Sequence, residues 1–286
     1  MSPGVLNNIA AVYAENNLNS TQASLQNTLE QLSSGSRINS GADDAAGLSI
    51  ADGLGAASAA LTQSADNATQ GVGLLQVADG ALSQVTNLLN RGITLATEAS
   101  NGTLSVSQDA AANQEYQSIL AEINNIGVTT SFNGNTVFSA APVTVYSGDA
   151  TATGGATDAL TIAALTSASV GDVGGVIAST GTAISYTPGA GEDLSADVLT
   201  SATAAQTALT DTNSAITDVA AQRGYVGSQI NTLNAISSVD STEQENVLSA
   251  QNSIQATDYG AATSNLRQGR AKVSSMDAAE PTKGVR

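Results

Sequence analysis

The feature that most restricts the fold of this chain is a long row of apolar residues spaced alternately four and three positions apart. Residues at this spacing share one face of an α-helix, and facing rows interlock in coiled-coil packing. Alanines within the row let two helices approach closely. The row consists of Leu74, Ala78, Ala81, Val85 and Leu88, with an adjoining row of Leu75, Leu82 and Leu89. This stretch predicts a long helix packed against another long helix.

Two further apolar stripes lie near the ends of the chain. The N-terminal stripe begins with Val5, Ile9 and Val12 and continues through Leu18, Leu25, Leu29 and Leu32. The C-terminal stripe consists of Ile216, Val219, Val226, Ile230 and Leu233. Burying about eight large side chains at about 1.5–3 kcal/mol each does not offset ordering of the first helix at about 1–2 kcal/mol per residue. We therefore expect that helix to order against a partner, either within a bundle or at the paired ends of the chain.

A segment of small residues separates the first two helical patterns, and it reads SSGSRINSGADDAAGLSIADGL over residues 33–54. Its glycines weaken helix propagation by about 1 kcal/mol each; they are Gly35, Gly41, Gly47 and Gly53. Asp43 and Asp44 directly precede the next pattern, where an acidic capping residue is favoured. Paired Asp residues also suit a metal site or an acid–base pair, but neither a third ligand nor a polar cluster lies nearby. We expect a flexible link over residues 33–44, followed by a capped helix.

The middle of the chain differs from the helical regions in composition and in predicted secondary structure. The sequence predicts a turn around Asn101 and then a helix that ends at Gly127. It also predicts a hairpin over FNGNTVF, with Asn133-Gly134 as its turn. From Ala140 to Leu194 the sequence is rich in Thr, Ser and Gly, with short β-branched runs such as VTVY at residues 143–146. We interpret this segment as an exposed β-rich insertion; a low-complexity linker is the alternative.

These patterns together predict a mainly α protein. The expected architecture is an elongated rod of long coiled-coil-like helices formed by paired N- and C-terminal regions, with a β-hairpin and a small β-rich central insertion. The expected domains are an N-terminal helix with its link, an N-terminal rod part, the insertion, a C-terminal rod part and a C-terminal helical part. Their bounds are residues 1–44, 45–139, 140–194, 195–240 and 241–286.

Composition narrows the function classes. The chain has 25 acidic and 8 basic residues, a net charge of -17, and neither Cys nor His. The excess of acidic residues disfavours nucleic acid as a partner. Without Cys the chain has no thiolate chemistry, and without His it lacks the commonest metal ligand and the usual general base. We expect no enzyme activity, metal or cofactor. No apolar run reaches the roughly 18 residues of a membrane span, and the N-terminus lacks the pattern of a general secretory signal.

Several motifs resemble those of a known family, the bacterial flagellins. Their N-terminal signature resembles, almost position by position, the stretch LEQLSSGSRINSGADDAAGLSIADGL. Their next helix resembles LLQVADGALSQVTNLLNRGITLATEASNGTLS, and their hairpin resembles SFNGNTVF. LTDTNSAITDVAAQRGYVGSQINTLN and SIQATDYGAATSNL are similar to the C-terminal conserved region. The resemblance covers about residues 7–138 and 205–266.

The resemblance implies a structural subunit that polymerises into the flagellar filament used for swimming. In flagellins the terminal helices form an inner tube, and the rod behind them forms an outer tube. Leu18, Leu25, Leu29 and Leu32 would then belong to the inner-tube helix. Residues 33–44 would be the spoke to the rod, with Arg37, Asp43 and Asp44 anchoring it within a subunit or between neighbours.

The resemblance also implies partners and a location. These are further copies of the chain, an export chaperone, the cap protein and the flagellar type III apparatus, which would deliver the chain to an extracellular filament. Some flagellins are ligands of a vertebrate Toll-like receptor, and the contacting residues correspond to Arg91, Leu95 and Glu115. The alternative for Leu95 is a core position of the coiled coil, and for Arg91 a solvated rod residue.

Other functions stay open at this point. A secreted surface adhesin would use the β insertion without forming filaments, and a hook–filament junction protein shares the flagellin-like fold. Some flagellins carry a zinc protease in the insertion, which requires an HExxH helix that a chain without His cannot supply.

The C-terminus departs from the flagellin pattern. After Leu266 the sequence reads RQGRAKVSSMDAAEPTKGVR, which holds five of the 8 basic residues of the chain. Its large apolar residues are Val273, Met276 and Val285, and Pro281 would end a helix. We therefore expect the stripe that pairs with Leu18, Leu25 and Leu32 to be missing, either because this is a solvated basic tail or because the reading frame is altered. Such a chain would polymerise poorly alone.

Overall fold

The computed structural model describes residues 9–148, 156–172, 176–180 and 183–279, and Val5 and the tail beyond residue 279 lie outside them. Its helices are α1 (Ile9–Ser34), α2 (Ala45–Ser100), α3 (Val106–Thr129), α4 (Ala202–Gln255) and α5 (Tyr259–Ala279). Its strands are β1 (Ser131–Phe132), β2 (Asn135–Thr136), β3 (Val143–Ser147), β4 (Ala156–Leu160), β5 (Val176–Thr180) and β6 (Ala183–Thr187). The predicted mainly α class with a hairpin and a small β component is confirmed.

The chain forms two compact units. Unit 1 comprises residues 1–58 and 245–286, and unit 2 comprises residues 59–244. In the described residues, no helix is both long and apolar enough to cross a membrane.

The core of unit 2 is built on rows of α2 and α4 that keep the three-and-four spacing. In α2 the buried row includes Leu75, Ala78, Leu82, Val85 and Leu89. Leu74 is also buried, but Ala81 and Leu88 are only half-buried. The sequence therefore predicted the helix packing correctly. The row that lies at the centre of the core is, however, displaced by one position from the predicted row. The buried face is broad because Tyr116, Ile119, Leu120 and Ile123 of α3 belong to the same core.

The row of α4 is also displaced from its prediction. Val219, Val226 and Leu233 are buried as expected, but Ile216 and Ile230 are half-buried. The buried row is completed by Thr212, Gln222 and Gln229, which a hydrophobic pattern passes over. Helix α4 lies against α2, because Arg223 Nε donates to Asp79 Oδ1 over 2.8 Å and the side chains of Thr212 and Tyr116 flank Gly92.

The hairpin and the sheet follow from local signals. Asn133 and Gly134 both have positive φ, 51° and 81°, which a tight Asn-Gly turn requires. The second sheet has the strand order β3-β4-β6-β5, in which β4 and β6 are parallel and the other pairs are antiparallel. The interpretation of this segment as β-rich is confirmed.

The segment is not simply an exposed insertion, and that expectation is wrong for much of it. Val145, Leu160, Leu165, Val170 and Leu194 are buried in the same core as the long helices. The backbone N–H of Asp172 donates to the carbonyl of Asp218 on α4 over 3.2 Å. Apolar residues separated by Gly- and Thr-rich stretches carry no visible period, so their burial could not be seen in the sequence.

Gly127 of α3 marks the closest approach of this segment to a helix. A Cβ at Gly127 would overlap the carbonyl of Leu165, whereas a Cβ at Gly80 of α2 would meet nothing within 4 Å.

We predict that Gly127→Ala destabilises the protein by at least about 2 kcal/mol, because the clash is with rigid backbone. The matched control Gly80→Ala should stabilise it by about 0.4–1 kcal/mol, since it lowers only the entropy of the unfolded chain. Urea unfolding of both variants measures the difference, and equal midpoints would contradict the packing of the segment on α3.

Unit 2 also buries carboxyl groups without cationic partners. Both carboxylate oxygens of Asp158 on β4 are buried and accept no hydrogen bond, and burial raises the pKa of this group. Asp197 accepts from the hydroxyl of Tyr116 at 3.4 Å. Burial, then the charge of Asp211, raise the pKa of Asp197 to about 6. Burial also raises the pKa of Glu192 and of Asp218.

These groups should make unit 2 more stable in mild acid. A carboxyl with a raised pKa binds its proton more tightly in the folded state, so its stabilisation is complete below about pH 4 and is lost as the pH rises through about 6. Asp193 and Glu115 of the same unit have lowered pKa values, so the stability they contribute is lost only at a pH below the ordinary pKa of a carboxyl group.

We predict that the free energy of unfolding falls between pH 4.5 and pH 7, and that Asp197→Asn reduces this fall by about 1 kcal/mol. Denaturant unfolding across that range checks it. An identical pH dependence in the variant would contradict the assignment to Asp197.

Candidate assembly surface

Unit 1 is built on the pairing of α1 with α5. Leu18, Leu25 and Leu32 of α1 are half-buried. On α5, Ala262 is buried, and Leu266, Gly269 and Val273 are half-buried at spacings of four, three and four. A Cβ on Gly269 would lie 3.0 Å from Leu25 Cδ1, so the missing side chain permits this contact.

The expectation that this stripe is missing is therefore wrong. Helix α5 continues through Ala279, thirteen residues beyond Leu266. The stripe is made largely of small residues, which score weakly as apolar but admit a close helix–helix approach at heptad spacing. Pro281 lies outside the described residues.

The link between α1 and α2 is hydrogen-bonded to residues 254–257 of the same unit, at the end of α4 and just beyond it. Gly35 has a φ of 73°, which ends α1, and its carbonyl accepts from the backbone N–H of Thr257 at 3.1 Å. Arg37 contributes its backbone N–H to the carbonyl of Gln255 and its guanidinium to the carbonyl of Ile254, over 2.6 and 2.9 Å. Within the described ranges Arg37 forms no ion pair with Asp43 or Asp44.

The two aspartates have different structural roles. Asp44 Oδ1 accepts from the backbone N–H of Gly47 over 2.8 Å and caps α2, as predicted. Asp43 folds the link by accepting from the backbone N–H groups of Asn39 and Ser40, and these bonds lower its pKa. Gly47 and Gly53 lie inside α2, so only Gly35 and Gly41 break the helices. Among the described residues, no cluster of three or more His, Cys, Asp and Glu could hold a metal ion.

Part of the apolar surface of α1 is uncovered in the single chain. Leu29 is 47% exposed, and it does not share the burial of Leu18, Leu25 and Leu32. Ile9, Val12 and Tyr13 are exposed by 69%, 56% and 67%, and together with Asn16 they line a shallow groove. We call Ile9, Val12, Tyr13 and Leu29 the exposed α1 residues.

The three residues of the expected receptor contact are placed differently from one another. Arg91 Nε donates to Glu115 Oε1 over 2.7 Å, and both side chains are about half exposed. The pair raises the pKa of Arg91 and lowers that of Glu115. Leu95 is 3% exposed, which favours its alternative role as a core residue. A receptor role for Arg91 and Glu115 stays a prediction.

Comparison with known proteins tests the predicted resemblance. A family model described as the bacterial flagellin N-terminal helical region matches residues 5–142. Residues 5–142 are therefore similar to the N-terminal helical region of bacterial flagellins. The predicted resemblance is confirmed there; the C-terminal resemblance over residues 205–266 lies outside the matched range.

Relatives agree with this flagellin region. Flagellin B of Vibrio cholerae serotype O1 is 41% identical over 135 residues, which are 47% of this chain and 36% of that protein. Polar flagellin A of Vibrio parahaemolyticus is 40% identical over 135 residues, with the same shares. The chain thus spans about a third of the length of these relatives. A crystal structure of Bacillus cereus flagellin is 25% identical, with a TM-score of 0.46, and covers 61% of this chain and 88% of that one.

Sequence reasoning missed the α5 side of the α1–α5 helix pair. Ala262, Leu266 and Gly269 have the spacing of a helix seam, and counting small residues as seam positions would have revealed it. The hydrogen bonds from residues 254–257 to the link have no sequence signal, because they involve backbone groups.

We predict that Leu25→Ala and Leu29→Ala affect the monomer unequally. Leu25 packs against α5, so its truncation should cost about 1–2 kcal/mol of the α1–α5 pairing. Leu29 is exposed, so its truncation should cost less than about 0.5 kcal/mol. Hydrogen exchange of α1 and α5 amides in the monomer measures both. Equal losses of protection would contradict the seam.

Proposed function

We propose that this protein is a structural subunit of the bacterial flagellar filament and polymerises with copies of itself. The observation that carries the proposal is the flagellin N-terminal helical region at residues 5–142. Under this proposal unit 1 is the inner assembly unit, and residues 33–44 are the spoke, whose fold Arg37, Asp43 and Asp44 maintain.

The exposed α1 residues support self-assembly physically. Apolar side chains that water surrounds in a single chain gain about 1.5–3 kcal/mol each when a neighbouring subunit buries them. Ile9, Val12 and Tyr13 lie within five positions of one another and form a contiguous apolar patch. Repetition of the same contact along a helical lattice generates an open polymer from a single surface.

The similarity of residues 5–142 to bacterial flagellins supports the remaining parts of the proposal. The subunit would leave the cell through the flagellar type III apparatus with an export chaperone, add beneath the cap protein and serve swimming motility in an extracellular filament. The Arg91–Glu115 pair is the surface we assign to a vertebrate Toll-like receptor. No specific observation favours the adhesin or the hook–filament junction protein.

Electron microscopy tests the proposal. Protein that has been heated to dissociate it, then cooled and concentrated, should form helical filaments. Persistent monomers, under conditions in which unit 2 is folded by circular dichroism, would count against a filament subunit and in favour of the adhesin.

The exposed α1 residues give a sharper prediction. Val12→Ser with Tyr13→Ser should raise the critical concentration for polymerisation at least about tenfold, because about 1.4 kcal/mol corresponds to one decade. The matched control is Val106→Ser, since Val106 is 87% exposed but lies on α3 in unit 2. Sedimentation of polymer from monomer gives both values, and equal increases would refute a specific role for α1.

A further inference from the structure

The basic residues of α5 form no ion pair within the part of the chain that the structure describes. Arg267, Arg270 and Lys272 are exposed. In the part of the chain that the structure describes, ion pairs are formed by Arg91 and Arg223, and none by these three residues. Three cations without partners are unusual in a chain of net charge -17.

The reason is the alignment of α5 on α1. Gly269 lies against Leu25, and Lys272 lines a groove of about 350 Å³ with Ser20 and Ser24. From Asn16 to Leu29, the stretch of α1 that α5 covers at this level, the sequence contains no charged residue. The hydroxyls of Ser24 and Thr28 donate to carbonyls of their own helix and leave the cations unpaired.

Helix α1 has the complementary charge. Within Ile9–Ser34 the charged residues are Glu15 and Glu30, and both are exposed without an ion pair in the described structure. Each follows an exposed apolar residue closely, Tyr13 and Leu29 respectively. An approaching α5 could therefore pair its cations with carboxylates while covering apolar surface.

We propose that Arg267, Arg270 and Lys272 form a docking surface for α1 of a second copy of this chain, through Glu15 and Glu30. This inference rests on the proposed self-assembly and names its electrostatic contact. Copies with net charge -17 repel one another over most of their surfaces. Opposite charges on α5 and α1 attract each other, so they favour the one orientation in which two copies meet through these helices. Charged residues beside the seam of a coiled coil select partners in the same way.

Charge reversal in both partners tests the contact. The first variant carries Arg267→Glu, Arg270→Glu and Lys272→Glu; the second carries Glu15→Lys and Glu30→Lys; the third carries all five substitutions. A matched control carries Arg267→Lys, Arg270→Lys and Lys272→Arg, which keep the charge. Each is measured by light scattering and sedimentation velocity at low and high salt, with circular dichroism to verify equal helix content.

The first and second variants should self-associate about tenfold more weakly than the parent at low salt, because exposed ion pairs act together and are weakly screened there. The third variant and the control should associate like the parent, and the differences should shrink at about 0.5 M salt. Failure of the third variant to recover, or unchanged association of the first, would overturn the contact.

Two further readouts separate this inference from its alternatives. A parent that forms filaments while all variants match it would overturn the contact and leave the filament function standing. A parent that forms salt-sensitive oligomers but no filaments would support the contact and overturn the filament function. A strictly monomeric parent would overturn both the contact and the filament function. Binding of the parent to duplex DNA or to anionic phospholipid vesicles, lost in the first variant while self-association is unchanged, would assign the cations to a phosphate surface instead.

Discussion

The close approach of long helices through small side chains is the interaction on which both units depend. In unit 2, Gly92 of α2 faces Tyr116 and Thr212, and alanines such as Ala78, Ala208 and Ala215 occupy buried positions of the helical rows. In unit 1, Gly269 performs the same role against Leu25. Small residues bury little apolar area each, but they shorten the distance between axes and extend the contact along many turns.

This design explains why polar groups occur inside unit 2. A core made of alanines and a few leucines over such long helices leaves positions at which Gln222, Gln229 and Thr212 are buried. Polar residues at heptad core positions fix the register of helices at some cost in stability. Among the described residues, the carboxyls of Asp158 and Asp197 are likewise buried without a cationic partner, and they link the stability of the unit to pH.

Unit 1 is organised differently, because α1 and α5 pack along one seam, while the backbone hydrogen bonds join the link to residues 254–257. The exposed α1 residues remain uncovered, and in the described structure the charged residues of α1 form no ion pair with those of α5. Both features agree with the self-assembly proposed above. A solitary globular domain would bury such residues or replace them with polar ones.

The sequence alone determined much of this protein. The existence of the long helices, the Asn133-Gly134 hairpin, the Asp44 cap and the break at Gly35 all follow from spacing and local backbone preference, because each signal lies within a few residues. The N-terminal family motif was equally visible. Leu18, Leu25 and Leu32 were recognised as one stripe for the same reason.

The tertiary structure decided which face of each helix is central and which partner covers it. In α2 the sequence predicted Ala81 and Leu88 in the central row, but the fully buried residues are Leu82 and Leu89. Residues of α3 belong to the same core and widen it. The tertiary structure placed Leu160 and Leu165 against helices and left Leu29 exposed. It also paired α1 with a C-terminal helix whose Gly269 has no hydrophobic signature. Burial depends on contacts between residues more than a hundred positions apart, and no local pattern contains that information.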